Sequence, residues 1–259
     1  MATDVRDAPP AEELTDDALT GSFRIWQRRR GHRYSLDDVL TAWEAVRARP
    51  AARRVLDLGC GIGSVLLMTA WKLPEATFVG IEAQAVSLSL AQRNVLRNDV
   101  SERVALYPGD LREIAPTLGG GFDLVTGTPP YMPPGTSTPS PDAQRTYARI
   151  EMRGGVEAYL AAGADRLAPG GRLVVCCDAR TPERALEGGR AVGLAPVRKR
   201  DAVPRAGSKG PLFTVWTFAR ADEAPPCEEA PPFVARTEDG VRTDVYYAVR
   251  AFFGLPRTH

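Results

Sequence analysis

Residues 55–64 read VLDLGCGIGS, and the fold turns on this stretch. Val55–Leu58 is a short, mostly apolar run that leads straight into Gly59-x-Gly61-x-Gly63. SVLLMTAWKL (64–73) follows with apolar residues at helical spacing and Ser64 placed to cap the first turn. Glycines between a strand and a helix let a ligand lie against the backbone where a Cβ would collide. A dinucleotide site asks for G-x-G-x-x-G. Counted from Gly59 the third glycine position is Ser64, and counted from Gly61 it is Leu66. Both registers fail, so NAD is a poor fit.

Outward from the loop, strand and helix signals alternate. TFVGIE (77–82), RVALYPGD (103–110), FDLVTGTPPY (122–131) and GRLVVCCD (171–178) read as strands, with helices over 85–98 and around 156–167. This alternation predicts an α/β fold with a mainly parallel sheet and helices on both faces. PVRKRDAV (196–203) and LFTVWTFA (212–219) lie close enough to form a hairpin with one antiparallel strand. Residues 1–21 read as a disordered acidic leader, 22–220 as the main domain, 221–238 as an acidic, Pro-rich linker, and 239–259 as a C-terminal helix docked on the same domain.

With 259 residues, 44% apolar and 25% charged, the chain has the composition of a globular protein. It has no apolar run long enough to span a membrane and no secretory signal, so a cytoplasmic location is expected. Cys176 and Cys177 sit in an apolar run and read as buried thiols, and no metal site is expected. Lys plus Arg is 33 and Asp plus Glu is 32, a net charge of +1. That balance hides a pattern. Basic segments at 21–54 and 198–209 are flanked by acidic ones at 1–20 and 221–232.

Two acids have informative positions. Glu82 ends the second strand, 19 residues beyond Gly63, where a carboxylate can accept from a ribose diol. Asp110 follows the third strand, where it can accept from an adenine amino group, and Asp57 could orient the loop and the ligand's cationic end. Together these describe a nucleoside ligand without a pyrophosphate. The constellation resembles the class I S-adenosylmethionine-dependent methyltransferases. The resemblance implies a Rossmann-like, seven-stranded sheet with S-adenosylmethionine over the carboxyl ends of the first strands. It also implies a cofactor site of Tyr34, Asp37, Asp57, Gly59, Gly61, Gly63, Glu82, Ala83, Asp110 and Leu111.

The fourth strand runs into Thr128-Pro129-Pro130-Tyr131. Amino-group methyltransferases that look like this chain carry N-P-P-Y here. An exocyclic or amide nitrogen has a delocalised lone pair, so acceptors on its N–H groups are needed to steer that pair toward the methyl. Prolines fix φ and remove competing donors, and Tyr131 is expected to stack on a planar substrate. No general base is required, since the proton can leave to water, and His32 shows no catalytic pattern. Thr128 is a departure, its hydroxyl lying one bond nearer the backbone than an Asn carbonyl.

FRIWQRRRGHRYSLDDVLTAW (23–43), Arg149 and Glu151, KGPLFTVWTF (209–218) and TEDGVRTDVYYAVRAFF (237–253) resemble the bacterial tRNA1(Val) (adenine-37-N6)-methyltransferase family. The resemblance implies methylation of an adenine near a tRNA anticodon. A tRNA-binding surface of Arg28, Arg29, Arg30, Arg33, Arg149, Arg205 and Lys209 is then expected, on a protein expected to be monomeric. The alternatives are a small-molecule or protein-glutamine N-methyltransferase, or a catalytically weak module that holds cofactor and RNA.

Overall fold

The structure, a computed structural model, describes residues 13–257. The chain begins with strands β1 (Leu14–Ala18) and β2 (Arg24–Arg28). Next come α1 (Leu36–Ala48), β3 (Arg54–Leu58), α2 (Ser64–Lys72), β4 (Thr77–Glu82), α3 (Ala85–Arg97), β5 (Val104–Pro108) and α4 (Leu111–Ile114). β6 (Phe122–Gly127), α5 (Ala143–Arg149), α6 (Val156–Ala164), β7 (Leu167–Asp178) and α7 (Pro182–Ala191) follow. The chain closes with β8 (Leu194–Val203), β9 (Phe213–Arg220), β10 (Glu228–Glu229), β11 (Phe233–Val234) and α8 (Asp244–Phe252).

Seven main strands lie in the order β8-β9-β7-β6-β3-β4-β5, parallel except for β9. The chain winds outward from β3 in both directions, so the carboxyl ends of β3 and β6 open into the crevice where ligands of open α/β sheets bind. Period-two alternation divides the core. Val55 of β3 joins α1, α2 and the apolar face of α8, whereas Leu56 and Leu58 join α6 and α7 on the other face.

The sequence reading needs three corrections. Residues 14–18 are not a disordered leader but pair with β2; residues 1–12 lie outside the described ones. The acids there have local partners: Asp16 pairs with Arg24 and Arg97, and Asp17 with Arg33. The free edge of β2 is closed by two amides one turn apart, Asn94 on α3 and Asn98 at its C-cap. Asn94 exchanges hydrogen bonds with the backbone of Trp26 at 2.7 and 3.0 Å, and Asn98 with that of Arg24 at 2.9 and 2.8 Å.

The 221–238 stretch is not a linker either. β10 and β11 each pair in parallel with β8, giving a nine-stranded sheet. They are fastened by charge, since Glu44 of α1, 1% exposed, accepts from Arg198 at 2.9 Å and from Arg200, and Arg198 also pairs with Glu228. The C-terminal helix is shorter than expected. Residues 236 and 242 form a bridge, and α8 starts only after Thr243, whose hydroxyl caps it by accepting from Tyr246 N–H at 3.2 Å.

Candidate active site

The glycine loop turns at the carboxyl end of β3, and all three glycines have positive φ: +59° at Gly59, +57° at Gly61 and +87° at Gly63. A Cβ at Gly59 would overlap the Tyr159 hydroxyl, so only glycine serves there. At Gly61 the reverse holds: a Cβ would meet nothing within 4 Å, because the loop borders an open cleft of about 820 Å³. Glu82 arrives from the end of β4. One oxygen accepts Gly61 N–H at 2.9 Å and the other Gln84 N–H at 2.6 Å. Burial pushes its carboxyl above the usual range, opposed by those N–H groups and by the charge of Arg153. Each oxygen keeps a second lone pair for a diol.

Asp110 caps α4, accepting Arg112 N–H at 3.0 Å, and the Arg112 guanidinium holds its carboxyl below the usual range. It borders the cleft together with Ala83 and Leu111, as expected. Gly59, Gly61 and Glu82 border it too; four expected residues, Gly63, Tyr34, Asp57 and Asp37, do not. Gly63 is one step behind, as the N-cap of α2. Tyr34 borders neither this cleft nor its neighbour, its hydroxyl donating instead to the Ala18 carbonyl at 3.1 Å. Asp57 lies beneath the loop, 2% exposed, accepting from Thr126 Oγ1 at 2.7 Å. Its other oxygen has no hydrogen-bond partner among the described residues, and burial pushes its pKa up to about 7.

A second cavity, of about 860 Å³, adjoins the first. Thr128 and Pro130 border both, whereas Pro129 and Tyr131 border only the second. Asp37, expected at the cofactor, also borders only the second. There it accepts from the Tyr131 hydroxyl at 3.1 Å. The Tyr131 ring is stacked on Phe213 with centroids 6.3 Å apart, and its hydroxyl also reaches Cys176 Sγ at 3.0 Å. The Tyr131 ring is therefore braced on the core and borders the second cavity.

Sequence reading missed His32, Asp38, Tyr147, Arg153 and Tyr159, all of which border the cleft. Asp38 accepts from Ser64 Oγ at 3.0 Å and from Ser35 N–H at 2.8 Å, and burial raises its pKa to about 8. The RVLDLG-type signal found the loop because its chemistry is local. These residues come from helices and turns whose sequences carry no local signal. Among the described residues no group of three or more His, Cys, Asp or Glu could hold a metal ion, and no helix is long and apolar enough to cross a membrane.

The proposed basic surface divides. Arg28 pairs with Asp142 at 2.8 Å and Arg33 with Asp17 at 2.9 Å, so both serve the fold. Arg29, Arg30, Arg149, Arg205 and Lys209 are exposed. Arg149 also borders the second cavity, while Glu151 is held by Arg184 at 2.6 Å. β8 runs parallel to β10 and antiparallel to β9, which is antiparallel to β7. The loop with Arg205 and Lys209 therefore leaves the sheet at the same end as the glycine loop.

The cleft fits S-adenosylmethionine. Glu82 and Asp110 share its wall with Arg153, the single Lys or Arg there among the described residues, which favours a ligand of net positive charge. A family model described as the methyltransferase small domain matches residues 43–188. A tRNA1(Val) (adenine(37)-N6)-methyltransferase of Porphyromonas gingivalis is 32% identical over 166 residues, 62% of this chain and 64% of its own. Its namesake in Bacteroides thetaiotaomicron is 28% identical over 216 residues, 83% and 88% of the two chains. A release factor glutamine methyltransferase of Geobacter sulfurreducens is 35% identical over 139 residues, 51% and 48%. The chain thus spans just under two thirds of the Porphyromonas relative and about half of the Geobacter one. Among solved structures, one described as a predicted O-methyltransferase from Agrobacterium tumefaciens superimposes with a TM-score of 0.62 at 17% identity, over 85% of this chain and 98% of its own. A precorrin-6y C5,15-methyltransferase from Geobacter metallireducens gives 0.53 at 16%, over 82% and 100%. With residues 43–188 of 259 matched, on a sheet that opens at this loop, the protein belongs to the methyltransferase small domain family, whose cofactor is S-adenosylmethionine.

Proposed function

We propose that this protein methylates the exocyclic amino nitrogen of an adenine near the anticodon of a tRNA. One observation carries the reading: the tetrad forms the aperture between two cavities, with Thr128 and Pro130 bordering both. When bound in the cleft, the cofactor supplies an electrophilic methyl group. The Thr128 hydroxyl and the Pro129 carbonyl accept from the two N–H groups of a nitrogen in the second cavity, which leaves its lone pair facing the aperture. Holding the nitrogen in line supplies much of the acceleration. The two tRNA-modifying relatives support an adenine as acceptor. The glutamine-modifying relative keeps an amide nitrogen as the second reading. Mass spectrometry of tRNA nucleosides from a deletion strain tests the choice: N6-methyladenosine disappears from one tRNA if the reading is right, and all tRNA nucleosides are unchanged if it is wrong.

Thr128→Ala is expected to lower kcat about 10²- to 10³-fold, the range for removing one hydrogen-bonding group at a reacting centre. Thr128→Asn should match or exceed the wild type. A loss in the Asn variant would show a cavity shaped for another acceptor.

The structure also narrows the RNA surface. Joint replacement of Arg30, Arg205 and Lys209 by Ala is expected to weaken tRNA binding. It should also make the slope of log affinity against log salt shallower by about 2. Arg28→Ala should lose thermal stability and leave the slope unchanged. Filter binding over a salt series reads both, and an unchanged slope in the triple variant would remove these residues from the surface.

A further inference from the structure

Five residues border both cavities: His32, Asp38, Thr128, Pro130 and Ala148. A methyl group moving from a donor in one cavity to a nitrogen in the other passes between them. Thr128 and Pro130 belong to the tetrad, and Ala148 is apolar, which leaves two titratable side chains. Asp38 is already engaged, with one oxygen on the Ser64 hydroxyl at 3.0 Å and the other on Ser35 N–H at 2.8 Å.

His32 is held differently. Its backbone N–H donates to Gln144 Oε1 at 3.1 Å. Gln144 is 1% exposed, donates to the Ser87 hydroxyl at 3.1 Å and accepts from Arg28 at 3.3 Å. Three elements thus fix the backbone of His32, yet its half-buried imidazole has no hydrogen-bond partner among the described residues. A ring pinned at its root with both nitrogens unspent is placed to meet a substrate.

We infer that His32 is a catalytic residue whose imidazole takes the proton that the acceptor nitrogen sheds. The inference rests on the proposed transfer to an amino nitrogen. As the N–C bond forms the C–S bond breaks, and sulfur keeps the bonding pair. The nitrogen spends its lone pair and positive charge develops on it. In the same transition state one N–H, released from its tetrad acceptor, gives its proton to the imidazole while its bonding pair returns to nitrogen, and the ring later releases the proton to water.

The surroundings keep the ring in its accepting form. Burial pushes the imidazole pKa down, Arg145 and Arg149 of α5 act in the same direction, and Asp37 and Asp142 oppose them. Arg33 and Asp38 border the second cavity with it, and Glu82, Asp110 and Arg153 the cleft. The neutral ring is the base, so the rate should rise with pH through the imidazole pKa and level off above it. Asp38 and Asp57, raised to about 8 and about 7, titrate in the same region. The rate profile is therefore read beside a direct titration of the ring.

The test uses the full chain. NMR titration with S-adenosylhomocysteine bound follows the His32 ring, assigned by its loss in His32→Phe. Single-turnover methyl transfer to tRNA is measured at saturating cofactor from about pH 5.5 to 9, with cofactor Kd taken by calorimetry alongside. The ring should be neutral at about pH 7.5, and its midpoint should coincide with a limb of the wild-type rate profile. His32→Phe and His32→Gln should lose that limb and fall about 10²-fold on the plateau, the lower end of what a positioned proton acceptor contributes. A ring protonated at about pH 7.5, or variant profiles superimposable on the wild type, would overturn the role. tRNA methylation with an unchanged profile overturns His32 alone. Absence of tRNA methylation overturns the substrate reading, and the same profiles taken on the glutamine substrate, with the ring titration, then decide His32.

Discussion

Glu82→Ala is expected to weaken S-adenosylmethionine binding about 10²- to 10⁴-fold while the protein remains folded. The carboxylate orders the glycine loop through Gly61 N–H at 2.9 Å and the turn after β4 through Gln84 N–H at 2.6 Å. Its remaining lone pairs face the cleft. Hydrogen bonds to a charged group contribute about 1.5–3 kcal/mol each, and each 1.4 kcal/mol is tenfold in affinity. Losing two to a ribose diol gives the stated range. Glu82→Gln keeps one carbonyl oxygen and should lose about tenfold, if its amide turns away from the Gly61 N–H. Calorimetric titration with the cofactor reads both. An Ala variant that binds within a few-fold of the wild type would remove Glu82 from the ribose site.

Glu44→Ala should lower stability by about 3–5 kcal/mol, because it strips the acid from buried Arg200 and leaves that charge uncompensated, while Arg198 keeps only Glu228. For a chain of this size the melting temperature should fall by roughly 6–20 °C. The guanidinium of Arg200 also lies 4.8 Å from the Trp43 ring centroid, so the loss propagates into the packing of α1 on the sheet. A double variant, Glu44→Leu with Arg200→Met, removes both charges of the closest pair and should recover part of the loss. A single variant that melts within 2 °C of the wild type would show that the network is solvated. This prediction concerns the fold alone and is independent of substrate.

Signals that depend on a few neighbouring residues were legible in the sequence. The glycine loop, Glu82, Asp110 and the tetrad are each set by a strand end and the backbone beyond it, so spacing sufficed to place them. Charges were harder because their partners lie far away in the chain. Arg28 is committed to Asp142, and Arg33 to Asp17 in a stretch that composition alone marked as unstructured. The 198–209 segment shows what period-two alternation could have added. Arg198 and Arg200 share a face of β8 and meet Glu44, while Lys199 faces the other way, 5.9 Å from the Trp216 ring centroid. Alternation also separates Asp57 from the cleft: it shares the α1 and α2 face with Val55, and a loop-proximal position in the sequence is not a loop-facing side chain. His32 had no local signal, because its backbone is held by Gln144, more than a hundred residues later.

The central claim is most directly tested by incubating the purified protein with tritiated S-adenosylmethionine, undermodified tRNA and release factor together. The tRNA is then digested to nucleosides and the protein to amino acids. The account predicts label in N6-methyladenosine and none in glutamine. Label in N5-methylglutamine, with unlabelled RNA, would contradict it.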